Sequence, residues 1–199
     1  MVWNLVNEIG REIIHITILI VLWFYFFIQD DLHLGRQIAL MFLVGLLLLF
    51  LVLEYLRLEL GWKMPFFSQF IRPKEENRMY GVVYFLSATV ICLAVFDKQI
   101  ALAALLMTTF GDMVAALVGK KYGTTLIYRN KTWAGFFGEL VTNLIVGFLV
   151  LAHLPGSLYL VLGMAFVATI VETLVDELDD NLLIPLFAGF IGQLILFSL

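Results

Sequence analysis

Seven apolar runs constrain this chain more than any other feature, at about 13–29, 37–56, 79–96, 99–118, 134–153, 157–175 and 183–199. An α-helix needs ~20 mostly apolar residues, within a range of about 17–25, to cross ~30 Å of hydrocarbon. The runs meet or nearly meet that length. Open sheet edges are too costly in hydrocarbon, so the runs are read as helices and not as lipid-exposed strands. The tight connections at Asp97-Lys98 and His153-Leu154-Pro155-Gly156 join antiparallel neighbours. The expectation is an all-α integral membrane protein with about seven transmembrane helices, forming one polytopic domain over 1–199. Composition agrees: 62% of residues are hydrophobic and 14% charged, against roughly 45–50% and ~25% in soluble domains. A net charge of −4 gives no support for nucleic-acid binding. Cys92 is the single cysteine, so an intrachain disulfide and a cysteine-based metal site are both excluded. The first run is followed by Phe-Ile-Gln-Asp-Asp and lacks a small-residue cleavage site, so it reads as a retained span.

Orientation follows from lysine and arginine. Arg11, Arg57, Lys63, Arg72, Lys74, Arg78, Lys120, Lys121, Arg129 and Lys131 fall on the face shared by the N-terminus and the even-numbered loops; Arg36 and Lys98 fall on the other. This 10-to-2 split predicts a cytoplasmic N-terminus and an external C-terminus. Thirteen of the sixteen acidic residues lie on or near the same cytoplasmic side. The positive-inside rule does not require that, and a polar site at the cytoplasmic face accounts for it.

The candidate site residues cluster at that face. Asp112 lies roughly 10 Å inside the fourth span, where a carboxylate costs up to ~3 kcal/mol and is expected to face a cavity, a cation or a partner. Gly111, Ala115, Ala116 and Gly119 around it allow a helix or a ligand close to the backbone. Lys120, Lys121, Arg129, Asn130 and Lys131 precede the fifth span at Thr132, and free helix amides beside cations make a phosphate site, most clearly at Asn130-Lys131. Membrane anchoring is the alternative use of those cations. Glu172, Asp176 and Asp180 are spaced by four, with Asp179 adjacent. On one helical face at the negative end of the dipole they repel each other, which points to a bound divalent cation. The alternative makes Asp180 or Asn181 the N-cap of the seventh helix, with Pro185 in its first turn. His15 stands near Glu8, Arg11 and Glu12 by three- and four-residue spacing. Glu54 and Arg57 form a surface pair or a head-group site, and Glu139 is a further intramembrane carboxylate.

Together these motifs resemble the CTP-dependent lipid-alcohol kinases: dolichol kinase, phytol kinase and the fungal CTP-using diacylglycerol kinase. The resemblance runs over essentially the whole chain. It rests on Arg11…His15, Glu54-x-x-Arg57, Gly111-Asp112-x-x-Ala115…Gly119-Lys120-Lys121-Tyr122-Gly123, Asn130-Lys131-Thr132-Trp133-Ala134-Gly135 and Glu172…Asp179-Asp180-Asn181-Leu182…Pro185. It implies transfer of the CTP γ-phosphate to a membrane alcohol, of polyprenol or dolichol type first and of phytol or diacylglycerol type second. It implies Mg²⁺ or another divalent metal held by Asp112, Glu172, Asp176, Asp179, Asp180 and Asn181. Catalytic roles fall to Asp112, His15 and Glu139. Nucleotide and phosphate binding fall to Arg57, Gly111, Gly119, Lys120, Lys121, Asn130 and Lys131. The active site is expected to face the cytoplasm, from the cytoplasmic membrane of a prokaryote or the endoplasmic reticulum of a eukaryote. Oligomerisation is compatible with the sequence and not fixed by it. The chain is shorter than the dolichol kinases, and Tyr80-Gly81-Val82-Val83-Tyr84 matches the family's third-span segment loosely. Two rivals are a cytidylyltransferase making CDP-lipid, whose long C-terminal signature is missing here, and an ion-coupled transporter. No chain of buried charges crosses the bilayer as transport would need.

Overall fold

The computed structural model describes residues 18–61, 78–175 and 179–199. His15 and Asp176, both expected in the site, lie outside the described residues. The chain divides into two compact units, Met1–Val90 and Ile91–Leu199, with the division falling inside a helix.

In the first unit, α1 is helical through 18–26 and opens into a π-helical turn at Phe27–Asp31. Helix α2 (Gly35–Leu60) follows and stops at Gly61, whose φ of 65° closes the last turn onto Leu56 O. Only 17% of the most apolar window of α2 is buried. Met41, Leu48, Leu49 and Val52 stand outward, as expected of a surface solvated by lipid chains. Helix α3 (Gly81–Val95) begins in this unit and ends in the second.

The second unit holds α4 (Lys98–Tyr122), strands β1 (Leu126–Tyr128) and β2 (Lys131–Thr132), α5 (Trp133–Leu151), α6 (Ser157–Leu174) and α7 (Asp180–Ser198). Its four long helices form a ring of neighbours, with α4 against α5, α5 against α6, α6 against α7, and α7 back against α4. Lipid offers no hydrophobic drive between helices, so small residues that let backbones approach carry the packing. A Cβ added at Gly135 would lie 3.0 Å from Ala115 O, and one at Gly138 would lie 3.1 Å from Val118 Cβ. At the α3–α4 turn, Asp97 N–H donates to Gln193 Oε1 (2.8 Å) and Gln193 Nε2 donates to Asp97 Oδ2 (2.6 Å), tying that turn to α7.

The chain is an all-α membrane protein, as its apolar runs imply. Among the described residues five helices, α2 and α4 to α7, are long and apolar enough to cross a membrane. Helix α3 has only 15 residues, less than the 79–96 run suggests, because its first turn starts at Gly81. A small antiparallel hairpin departs from the purely helical expectation. Leu126 pairs with Thr132 and Tyr128 with Lys131, around a turn in which Arg129 takes a φ of 46°. Pro185 is the sixth residue of α7 and lies in its second turn, one turn deeper than expected. Buried Cys92 donates to the Pro185 carbonyl (3.6 Å).

Candidate metal and phosphate site

Asp112 projects from α4 ten residues before the helix ends at Tyr122, about 15 Å along the axis. The helix outruns the apolar segment, so Asp112 sits deeper from its end than the hydropathy pattern indicates. Asp112 is buried, and Glu139, Asn143, Thr169, Glu172, Thr173 and Asn181 are buried with it in the same unit. A polar group inside hydrocarbon is expensive unless it is satisfied or used.

Asp112 of α4, Glu172 of α6 and Asp180 of α7 each offer a carboxylate oxygen, and these oxygens lie within 4.8 Å of one another. They converge by a route the sequence does not show. Helix α6 ends at Leu174 and Val175 is extended, with ψ at 131°. Glu172 and Asp180 therefore do not share a helical face; Asp180 opens α7 instead. The correction reverses the dipole argument, because a carboxylate in a first helical turn is favoured by the macrodipole. The N-cap of α7 is neither Asp180 nor Asn181 but Asp179. Its Oδ1 accepts from Asn181 N (3.1 Å) and Asn181 Nδ2 (2.9 Å).

One cation reaches the cluster from the hairpin. Lys131 Nζ forms an ion pair with Glu172 Oε1. Burial alone would lower the lysine pKa, but Glu172, helped by Asp180 and Asp112, outweighs it and the value rises. Lys131 thus stays an ammonium at neutral pH. Glu172 is 2% exposed, and its second oxygen, Oε2, is buried with no hydrogen-bond partner among the described residues. Such orphaned buried oxygens are rare in folded proteins and call for a water or an ion as partner. Hard carboxylate oxygens from three rigid helices suit Mg²⁺, which is commonly held by one or two carboxylates and completed by phosphate oxygens. The donor set therefore fits a divalent metal.

Behind the cluster lies a second polar layer. Asn143 Nδ2 donates to Glu139 Oε1 (3.3 Å) and to Thr169 Oγ1 (3.1 Å), and Thr169 Oγ1 donates to Ala165 O (3.0 Å). Sequence reasoning missed Asn143, Thr169 and Thr173. Their signal was present, since Asn143 stands four residues after Glu139, Thr169 stands three before Glu172, and Thr173 stands four after Thr169.

The remaining expected residues scatter. Gly111 and Gly119 are taken up by helix packing. A Cβ at Gly111 would meet Asn143 Oδ1 at 2.5 Å, and one at Gly119 would meet Thr132 Oγ1 at 3.1 Å. Thr132 caps α5 by accepting from Gly135 N (3.2 Å), which places Lys131 at that helix's entrance. Lys120, Lys121, Arg129 and Asn130 are exposed around the hairpin. Lys121 and Arg129 lie over the rings of Tyr122 (5.1 Å) and Tyr128 (5.4 Å). Arg57 belongs to the first unit. Its guanidinium grips Glu54 through Nε (2.9 Å) and Nη2 (2.6 Å), donates to Arg78 O (2.6 Å) and lies 3.9 Å over the Tyr80 ring.

The fold and site define an integral membrane protein of packed helices, with a buried acidic cluster faced by a lysine. By sequence, the chain is similar to CTP-dependent diacylglycerol kinases and to phytol kinases. A CTP-dependent diacylglycerol kinase of Schizosaccharomyces pombe is 30% identical over 141 residues, covering 63% of this chain and 65% of that one. The chloroplastic phytol kinase 1 of Arabidopsis thaliana is 29% identical over 129 residues, covering 57% of this chain and 42% of that one. An uncharacterized protein of Rickettsia prowazekii is 29% identical over 187 residues and covers 90% of each chain. The chain thus spans just under two thirds of the S. pombe kinase and less than half of the plant one. No family model matches the chain, and no solved structure does.

Proposed function

We propose that this chain is a CTP-dependent lipid kinase, transferring the γ-phosphate of CTP to the hydroxyl of a membrane alcohol at a cytoplasm-facing site. The observation that carries this reading is the meeting of Asp112, Glu172 and Asp180 within 4.8 Å, beside Lys131. Relatives named as CTP-dependent diacylglycerol kinase and as phytol kinase support the same reading. A long-chain isoprenoid alcohol of polyprenol or dolichol type is the preferred acceptor; phytol and diacylglycerol are the acceptors suggested by those relatives' names.

Phosphoryl transfer is catalysed mainly by positioning and charge neutralisation. Mg²⁺ at the three carboxylates would neutralise charge on the transferring phosphates. Lys131, half-exposed at the entrance to α5, binds phosphate oxygens, with Lys120, Lys121, Arg129 and Asn130 supplying the surrounding positive field. The acceptor's oxygen forms a bond to the γ-phosphorus, the bond to the β–γ bridging oxygen breaks, and CDP leaves. The hydroxyl proton passes to a buried carboxylate, with Asp112 and Glu139 the candidates. The apolar outer faces of the helices admit a lipid acceptor sideways from the bilayer.

Purified protein supplied with lipid alcohols and CTP labelled at either the α or the γ phosphorus tests the reaction. Label reaching lipid from the γ position is the expected result. Label from the α position would overturn the proposal in favour of CDP-lipid synthesis, and label from neither would favour transport.

A further inference from the structure

We infer that Lys131 is a resident counter-ion for Glu172, which makes divalent-metal binding depend on the nucleotide. The inference rests on the proposed kinase reading and assigns Lys131 a positioning role within that site.

Glu172 is 2% exposed and cannot remain charged without a cation. Lys131 supplies that cation through Glu172 Oε1, while Oε2 has no hydrogen-bond partner among the described residues. The same carboxylate belongs to the three-oxygen cluster with Asp112 and Asp180. An ammonium ion and a divalent metal at one carboxylate repel each other, so each weakens the other's hold. Their access differs. The Lys131 side chain is 39% exposed, whereas that of Glu172 is 2% exposed. An incoming triphosphate therefore meets the lysine first. Lys131 also sits in a two-residue strand that ends at the Thr132 cap, so its long side chain can swing while its backbone stays fixed. Once phosphate oxygens take the ammonium, Glu172 becomes available to metal. Lys131 thus offsets one of the three carboxylate charges and gives up that carboxylate when nucleotide arrives. Nucleotide and metal binding are coupled as a result, and coupling between two ligands is reciprocal by linkage.

Mn²⁺ is the probe, its affinity read by electron paramagnetic resonance on protein in lipid nanodiscs, with and without CTP. In the wild type, CTP should tighten Mn²⁺ by roughly tenfold or more, within the ~5–150-fold range of ordinary coupling. Lys131→Gln should bind Mn²⁺ severalfold tighter than wild type without CTP, and CTP should tighten it by a smaller factor than in the wild type, leaving only the part due to direct ligation by phosphate oxygens. Lys131→Arg keeps a cation on Glu172 and should bind Mn²⁺ no tighter than wild type, with coupling retained. It also serves if the Gln variant does not fold. If Lys131→Gln binds Mn²⁺ no tighter than wild type, or Lys131→Arg binds it tighter without CTP, the counter-ion role is wrong while the kinase reading stands. If the wild type binds no Mn²⁺ with or without CTP, both are wrong.

Discussion

Asp179 and Asp180 are adjacent and do different work, a division that two substitutions separate. Asp179 caps α7 through Asn181, whereas Asp180 joins Asp112 and Glu172. Asp179→Ala should lower stability by about 1 kcal/mol, the usual cost of a lost N-cap, and keep the thermal shift produced by CTP with Mg²⁺. Asp180→Asn should stay folded, losing at most about 1 kcal/mol of favourable dipole interaction. It should also lose that ligand-dependent shift, which follows mass action for ligands that bind only the native state. A normal CTP–Mg²⁺ shift in Asp180→Asn would remove Asp180 from the metal set.

Between elements, the close approach of α4 and α5 decides whether the site exists. Gly111 sits where α4 meets Asn143, and a Cβ there would lie 2.5 Å from Asn143 Oδ1. Gly111→Ala should therefore push apart the helices that carry Asp112 and Glu139, costing about 1–3 kcal/mol, as overpacking does. Gly45 is the internal comparison, because a Cβ there meets nothing within 4 Å and the residue lies inside α2. Gly45→Ala should stabilise by roughly 0.5–1 kcal/mol through helix propensity. Unfolding of the two variants by denaturing detergent gives the comparison, and equal effects would refute the packing role of Gly111. The pair also shows what residue type alone conceals: both glycines are helical, and only the neighbouring helix distinguishes them.

For the whole molecule, the asymmetry of lysine and arginine predicts a cytoplasmic N-terminus and an external C-terminus. A reporter fused after Leu199 should be active only outside the cytoplasm; a cytoplasmic signal would invert the topology and move the proposed site to the other face. The large apolar side chains left exposed, such as Leu149 and Phe197 at 79% and 78%, need a lipid environment. Their exposure is the structural counterpart of a mean hydropathy of +1.01.

Helix number and approximate spans were legible in the sequence because the bilayer imposes a length and an apolar composition on each crossing segment independently. Asp112, Glu139 and Glu172 were legible for the same reason, since a carboxylate in an apolar run stands out without any knowledge of its neighbours. Which carboxylates meet was not legible. The stop at Leu174, the extended Val175 and the cap at Asp179 turn an apparent single acidic face into carboxylates from two helices, joined by Asp112 from a third. Nor could the sequence show that Lys131 reaches Glu172, forty-one residues away, by way of a short hairpin. Local pattern specifies segments, because hydrophobic transfer acts residue by residue. The pairing of charges depends on distances between helices, and these are decided by tertiary packing, such as that of α4 on α5 at Gly111, Gly135 and Gly138.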